Sequence, residues 1–208
     1  MNITTKSSGE ITKDASESPY ALVAFGANLP FQNQQPLETI KAAIAHFAFE
    51  NITVLACSAL YRTPCFPSGA GPDYINGCVK LKMKMESTAA SILETLHRIE
   101  ANFGRQRDQR WGGRSLDLDL LALGDQILPD LECYLCWQDL TLQQQKITAP
   151  SELILPHPRL HERSFVLVPL ADIAPDWRHP VRKRSVVQML GDLLPAEVGA
   201  VLAGKLID

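Results

Sequence analysis

Between Leu116 and Leu121 the chain reads Leu-Asp-Leu-Asp-Leu-Leu, and this alternation constrains the fold more than any other segment. A period of two is that of a β-strand, so Asp117 and Asp119 share one face while the leucines fill the other. A strand with an apolar face lies against a core, and its acids then point at something that favours negative charge. A solvated edge strand is the plain alternative. It leaves unexplained why two acids face one side of a strand otherwise made of leucine and alanine.

The residues before the strand supply the partner chemistry. Gly104-Arg-Gln-Arg-Asp-Gln-Arg-Trp-Gly-Gly-Arg114 carries Arg105, Arg107, Arg110 and Arg114. A guanidinium is a rigid fork of donors that matches phosphate oxygens and stays charged at any working pH. Paired carboxylates on a rigid strand beside such a loop suit Mg²⁺ and a polyphosphate.

Upstream, strands and helices alternate. Tyr20 to Phe25 reads as a strand that stops at Gly26-Ala-Asn-Leu-Pro30. Leu37, Ile40, Ile44 and Phe47 recur at helical spacing, which predicts a helix over 36–49 with Pro36 in its first turn. Ile52 to Tyr61 reads as a second strand, and 62–73, with three prolines and two glycines, as a loop. Val79, Leu81, Met83 and Met85 alternate with Lys80, Lys82 and Lys84, a half-buried strand. Ile92, Leu96, Ile99 and Phe103 predict a second helix before the arginine segment. Strand, helix, strand, strand, helix, strand is the ferredoxin-like order: an α+β fold with an antiparallel sheet and two helices on one face. An irregular stretch (129–151), the segment 153–175 and a short helix near 185–194 form a C-terminal elaboration. The polar residues 1–18 are expected to be a disordered tail, leaving one domain over 19–208 with an insert at about 129–151.

Composition narrows the function classes. A hydrophobic content of 46% and a charged content of 21% describe an ordinary soluble globular protein. The net charge of −3 speaks against a general nucleic-acid partner. The tail has no apolar run for a signal peptide, and no stretch is apolar enough to cross a membrane. Five cysteines without framework spacing point to a reduced, cytoplasmic setting.

Four motifs in order carry a resemblance over about 20–175. They are Phe25-Gly-Ala-Asn-Leu29; Ser58-Ala-Leu-Tyr-Arg-Thr-Pro64 with Pro72-Asp-Tyr-Ile-Asn76; the segment Arg105 to Asp119; and Leu155-Pro-His-Pro158 followed by Arg163-Ser-Phe-Val-Leu167. The chain resembles the 6-hydroxymethyl-7,8-dihydropterin pyrophosphokinases of the folate pathway. The resemblance implies a ferredoxin-like core and transfer of a pyrophosphoryl group from ATP to the pterin hydroxymethyl group, releasing AMP. It places two Mg²⁺ ions on Asp117 and Asp119. It puts Arg105 and Arg114 on the triphosphate, and Arg107 and Arg110 on a loop that closes over it. His157 and Arg163 match residues that touch the nucleotide phosphates, Glu100 one near the nucleotide, and Trp111 one that serves both substrates. Thr63, Pro64, Tyr74, Asn76, Trp111 and Phe165 match the pterin slot, with Phe66 as the candidate from the proline-rich loop. Tyr74 and Phe165 offer stacking faces, and Asn76 can donate to and accept from the pterin edge. For the two aromatics, core packing is the plain alternative; the expected loop position of Tyr74 speaks for ligand. A chain of this length has no room for a fused folate enzyme and is expected to act alone, as a monomer.

The chain also departs from the family pattern. Gly113 stands where the family usually has proline, which loosens the backbone before Arg114. Ala27 and Pro30 replace the more usual Ser and Gly. The run from Gly124 to Pro156 is longer by roughly twenty residues than the resemblance implies, a length that marks an insertion. Cys133 and Cys136, upstream of His157 and His161, have spacings seen in zinc sites, but solvent-excluded cysteines in an insert are the better account. Two other classes stand beside the enzyme. A non-catalytic pterin or nucleotide binder would have no use for the retained acids and arginines. An RNA-binding module would need an aromatic pair on its strands, and none is present.

Overall fold

Strand β1 (Tyr20–Ala27) is apolar on both faces, so it belongs at the centre of a sheet covered on both sides. The computed structural model, which describes residues 19–65, 69, 71–105, 114–148 and 150–206, places it there. Helix α1 (Pro36–His46) follows, then β2 (Thr53–Cys57), β3 (Tyr61–Thr63), β4 (Tyr74–Lys82), helix α2 (Ala89–Asn102) and β5 (Asp117–Leu123). The sheet order is β2-β4-β1-β5, with β3 continuing β2 along β4, and every pairing is antiparallel. This is the ferredoxin-like arrangement expected from the element order.

Each face has its own core. Ala21, Val23, Phe25 and Ala27 pack with Ile40, Ala43 and Phe47 on the α1 side and Ile92, Leu96 and Ile99 of α2. Leu22, Ala24 and Cys78 face the other way. They pack against Val166, Leu167 and Leu170 of α5 (Ser164–Ile173) and Val186 and Met189 of α6 (Val186–Leu190). The C-terminal elaboration is thus a second layer over the back of the sheet, closed by α7 (Pro195–Ala203) near β3. A bulge opposite Leu22 and Val23 turns Leu121 and Ala122 together into that second core.

Several boundaries differ from expectation. Helix α1 ends at His46 rather than residue 49. The second strand is split, since Ser58 to Leu60 interrupt it between two stretches that both pair with β4. Arg62 and Thr63 are strand, not loop. β4 opens at Tyr74, well before the apolar alternation at Val79, because pairing to β1 and β3 fixes its polar first half. Tyr74 therefore lies at a strand start and not in the loop.

The stretch 129–151 is not irregular. It contains α3 (Leu131–Gln138), capped by Asp130, and α4 (Leu142–Ile147), capped by Thr141. Its cysteines are not solvent-excluded: Cys133 is half-buried and Cys136 exposed, one helical turn apart. What α3 buries is Tyr134, whose hydroxyl meets His179 Nε2 at 3.1 Å. Among the described residues no group of three or more His, Cys, Asp or Glu lies together in a way that could hold a metal ion. No helix among them is long and apolar enough to cross a membrane. The tail 1–18 lies outside the described residues.

Candidate active site

Alternation along β4, β1 and β5 puts Asn76, Gly26 and Asp117 on the face covered by α5, in one row across the sheet. Cys78, Ala24 and Asp119 form the next row. The expected sharing of a face by Asp117 and Asp119 is observed, with Leu118 and Leu120 buried behind them. Gly26 leaves the first row open. A Cβ there would come within 2.7 Å of Asn76 Oδ1. The Asn76 amide is oriented by donating from Nδ2 to Thr63 Oγ1 at 2.7 Å.

Helix α2 delivers the first arginine. It ends in a Schellman motif: Gly104 N–H donates to Ala101 O at 3.1 Å and Arg105 N–H to Glu100 O at 3.1 Å, with Gly104 at φ 77°. The motif brings the side chains of Glu100 and Arg105 together, where an apolar contact is usual; here they form an ion pair. Arg105 Nη1 also stands 2.8 Å from Asp117 Oδ1, and Arg114 pairs with Asp117 Oδ2. Glu100 is fully buried and accepts from Leu118 N–H at 2.7 Å, satisfying a donor on the outer edge of β5. Burial pushes its pKa up to about 7, against the pull of that N–H and of Arg105. Asp117 is raised too, first by burial and then by the neighbouring Asp119.

The other edge contact of β5 comes from the C-terminal layer. His157 N–H donates to Leu121 O at 2.8 Å. The ring of His157 accepts at Nδ1 from Arg159 N–H at 3.1 Å, so its proton sits on Nε2. Burial and then Arg163 hold it neutral, with its pKa lowered to about 3. Arg163, just ahead of α5, reaches to 3.8 Å from Asp119 Oδ2, and its guanidinium lies 5.8 Å from the Phe165 ring centroid. Phe165 is 40% exposed, so a face is open to a ligand and core packing does not account for it. Tyr74, half-buried, and Pro64 flank the Asn76 end.

Asn28 was not singled out in the sequence, and it ties the site together. Its Oδ1 accepts from Arg114 N–H at 2.7 Å and its Nδ2 donates to Pro72 O at 3.1 Å. Its own N–H and that of Leu29 donate to Arg114 O. One buried amide thus joins the end of β1, the arginine segment and the loop before Tyr74. The signal was its place in the turn after the first strand, where a short amide readily bonds backbone.

The structure therefore brings together Glu100, Arg105, Arg114, Asp117, Asp119, His157 and Arg163 on one side, and Thr63, Asn76 and Tyr74 on the other. Phe66, Arg107, Arg110, Trp111 and Gly113 lie outside the described residues.

Comparison with known proteins identifies the family and the fold. The family model of 7,8-dihydro-6-hydroxymethylpterin-pyrophosphokinase (HPPK) matches residues 22–175. A Synechocystis protein named 2-amino-4-hydroxy-6-hydroxymethyldihydropteridine pyrophosphokinase is 36% identical over 192 residues, covering 89% of this chain and 85% of its own length. A Pseudomonas aeruginosa protein of the same name is 37% identical over 161 residues, covering 76% and 82%. The crystal structure of wild-type Plasmodium falciparum HPPK-DHPS matches with a TM-score of 0.56 at 15% identity. It covers 84% of this chain and 44% of that longer one, so this chain spans less than half of it, and the likeness bears on the fold alone.

Proposed function

This chain belongs to the 7,8-dihydro-6-hydroxymethylpterin-pyrophosphokinase family, and on that premise we propose how its own residues move the pyrophosphoryl group. It is an ATP-dependent pyrophosphokinase of folate biosynthesis. The hydroxymethyl oxygen of 6-hydroxymethyl-7,8-dihydropterin attacks the β-phosphorus of ATP. The bond from that phosphorus to the oxygen bridging it to the α-phosphate breaks, AMP leaves, and the hydroxyl proton passes to water.

The observation that carries the residue roles is the row Asn76–Gly26–Asp117. Asn76 reads the pterin edge, its orientation set by Thr63, while Tyr74, Pro64 and Phe165 bound the ring. Strands lie about 4.8 Å apart, so the row sets Asn76 and Asp117 roughly 10 Å from each other, and the open space over Gly26 lets the hydroxymethyl group and the phosphates meet between them. Arg105, Arg114 and Arg163 now neutralise Asp117 and Asp119 and face the triphosphate. His157 donates an uncharged Nε2–H to a phosphate oxygen. Glu100, with no exposed surface, acts by holding Arg105 and β5 rather than by touching the nucleotide. Arg107, Arg110, Trp111 and Phe66 complete the set by resemblance.

Two aspartates on one strand face are a hard, all-oxygen donor pair that fits Mg²⁺ when phosphate oxygens supply further ligands. Asp117 and Asp119 would hold two such ions. When bound, the metal offsets phosphate charge and polarises the transferring group. The arginines position the group in a site that neutralises developing charge, the main source of rate in phosphoryl transfer. We propose a cytoplasmic monomer, one domain over 19–208, with the helical insert as a surface addition.

Product analysis tests the reading. The chain, Mg²⁺, ATP and 6-hydroxymethyl-7,8-dihydropterin should yield AMP only when the pterin is present. ADP in place of AMP, or AMP independent of pterin, would overturn it.

A further inference from the structure

We infer that Phe31 is a positioning residue for Arg105: its ring packs where a side chain at position 104 would stand and so fixes the turn from which Arg105 reaches Asp117. The inference rests on the reading of Arg105 as a guanidinium that faces the triphosphate.

Gly104 has φ 77°, and a Cβ built there would run into the edge of the Phe31 ring and lie 3.2 Å from Cζ. The same ring meets Phe103, the residue before Gly104, with centroids 6.3 Å apart and planes tilted by 58°. Phe103 in turn stands edge-on to His46 at 5.9 Å. A Schellman turn is usually sealed by an apolar contact between the residues that here are Glu100 and Arg105. Both are charged, so the turn lacks its own apolar cover. Phe31 supplies that cover from another segment.

Phe31 is itself held in place. It exchanges backbone hydrogen bonds with Gln34, at 3.0 and 2.8 Å, across a tight turn in which Gln32 and Asn33 both have positive φ. Three and two residues earlier, the N–H groups of Asn28 and Leu29 donate to Arg114 O. One short segment after β1 thus contacts the residue before Arg105 and also Arg114, the other arginine on Asp117. Since errors of about 1 Å in a positioned group can reduce a rate by up to about 10²-fold, loosening this packing has a kinetic signature.

The test is a double-substitution cycle on the full chain. AMP release is measured as kcat/KM for ATP, and the Kd of a non-hydrolysable ATP analogue is measured with Mg²⁺. The variants are Phe31→Ala, Phe31→Tyr, Arg105→Ala and the Phe31→Ala/Arg105→Ala pair, with thermal midpoints as the folding control. Phe31→Ala is expected to lower kcat/KM about tenfold and weaken the analogue, and Phe31→Tyr to restore both, because the ring is what packs. In the Arg105→Ala background the effect of Phe31→Ala on the analogue's Kd should vanish. The same loss in both backgrounds would make Phe31 a general packing residue and overturn the inference, as would parental kinetics in Phe31→Ala. If Arg105→Ala itself behaves as the parent, the role given to Arg105 fails and takes this inference with it. Absence of AMP from the parent chain would instead refute the proposed function.

Discussion

Asn76 and Asp117 flank Gly26 on a single row of the sheet, so the groups assigned to the two substrates are separated by the one residue that has no side chain. The row is a consequence of register: Gly26 pairs with Asn76 on β4 and with Asp117 on β5. Nothing in the local sequence of β1 announces it. It follows from three strands aligning.

Gly26→Ala should therefore damage pterin recognition before anything else. The added methyl would crowd Asn76 Oδ1 at 2.7 Å and turn the amide away from Thr63. We expect KM for the dihydropterin to rise about tenfold, equivalent to one lost or bent hydrogen bond. KM for ATP should change less. Steady-state kinetics with each substrate varied in turn checks this, and an unchanged pterin KM would remove Asn76 from that role.

Asp119→Ala should abolish turnover while pterin affinity, measured without nucleotide, stays near that of the parent. Asp119 contacts Arg163 and belongs to the second row, away from Asn76. Asp117→Ala should do the same but also lower stability, because it leaves Arg105 and Arg114 close together without their shared carboxylate. Fluorescence titration with the pterin and a denaturant midpoint separate the two. Retained turnover in either variant would contradict the metal assignment.

Much of this site was legible in the sequence, and the reason is local. The Leu-Asp-Leu-Asp alternation fixed which face the acids share, and the four motifs identified residues from five separate segments. What was not legible depends on tertiary pairing. Tyr74 looked like loop because glycine and proline precede it, yet pairing with Thr63 makes it strand. Helices α3 and α4 were hidden because their cores are short, and only one side chain of α3, Tyr134, is fully buried. Asn28 carries its role through bonds to residues 44 and 86 positions away. Glu100 was placed near the nucleotide by resemblance, and its burial and its bond from Leu118 N–H are tertiary features that no spacing rule reveals.

Glu100 gives a pH signature. Its folded pKa, about 7, lies above the ordinary 4.5, so the folded state holds this proton more tightly. The stabilisation is complete below pH 4.5 and is lost as pH rises through 7. Glu100→Gln keeps the shape and removes the titration. Between pH 4.5 and 7, the stability of the parent relative to Glu100→Gln should fall as pH rises. Urea unfolding of both proteins across that range measures it, and parallel curves would show that burial does not govern this carboxyl.

The insert should be a stability element, not a catalytic one, and Tyr134 is where to test it. His179 is fully buried and accepts at Nδ1 from Val181 and Arg182 N–H at 3.2 and 3.3 Å, so its remaining proton is on Nε2, facing the Tyr134 hydroxyl. Burial, then His161, lowers its pKa to about 3. A folded value below the ordinary 6.5 means that the unfolded chain takes up the proton first. Stability from this group is therefore present above pH 6.5 and is lost as pH falls towards 3. Tyr134→Phe keeps the ring and leaves His179 Nε2–H buried without its partner, which costs about 1–3 kcal/mol. The thermal midpoint should fall, while kcat and both KM values below it stay parental, because neither residue contacts the rows that carry Asn76, Asp117 and Asp119. A selective loss of ATP affinity in Tyr134→Phe, with an unchanged midpoint, would instead place the insert in the nucleotide site.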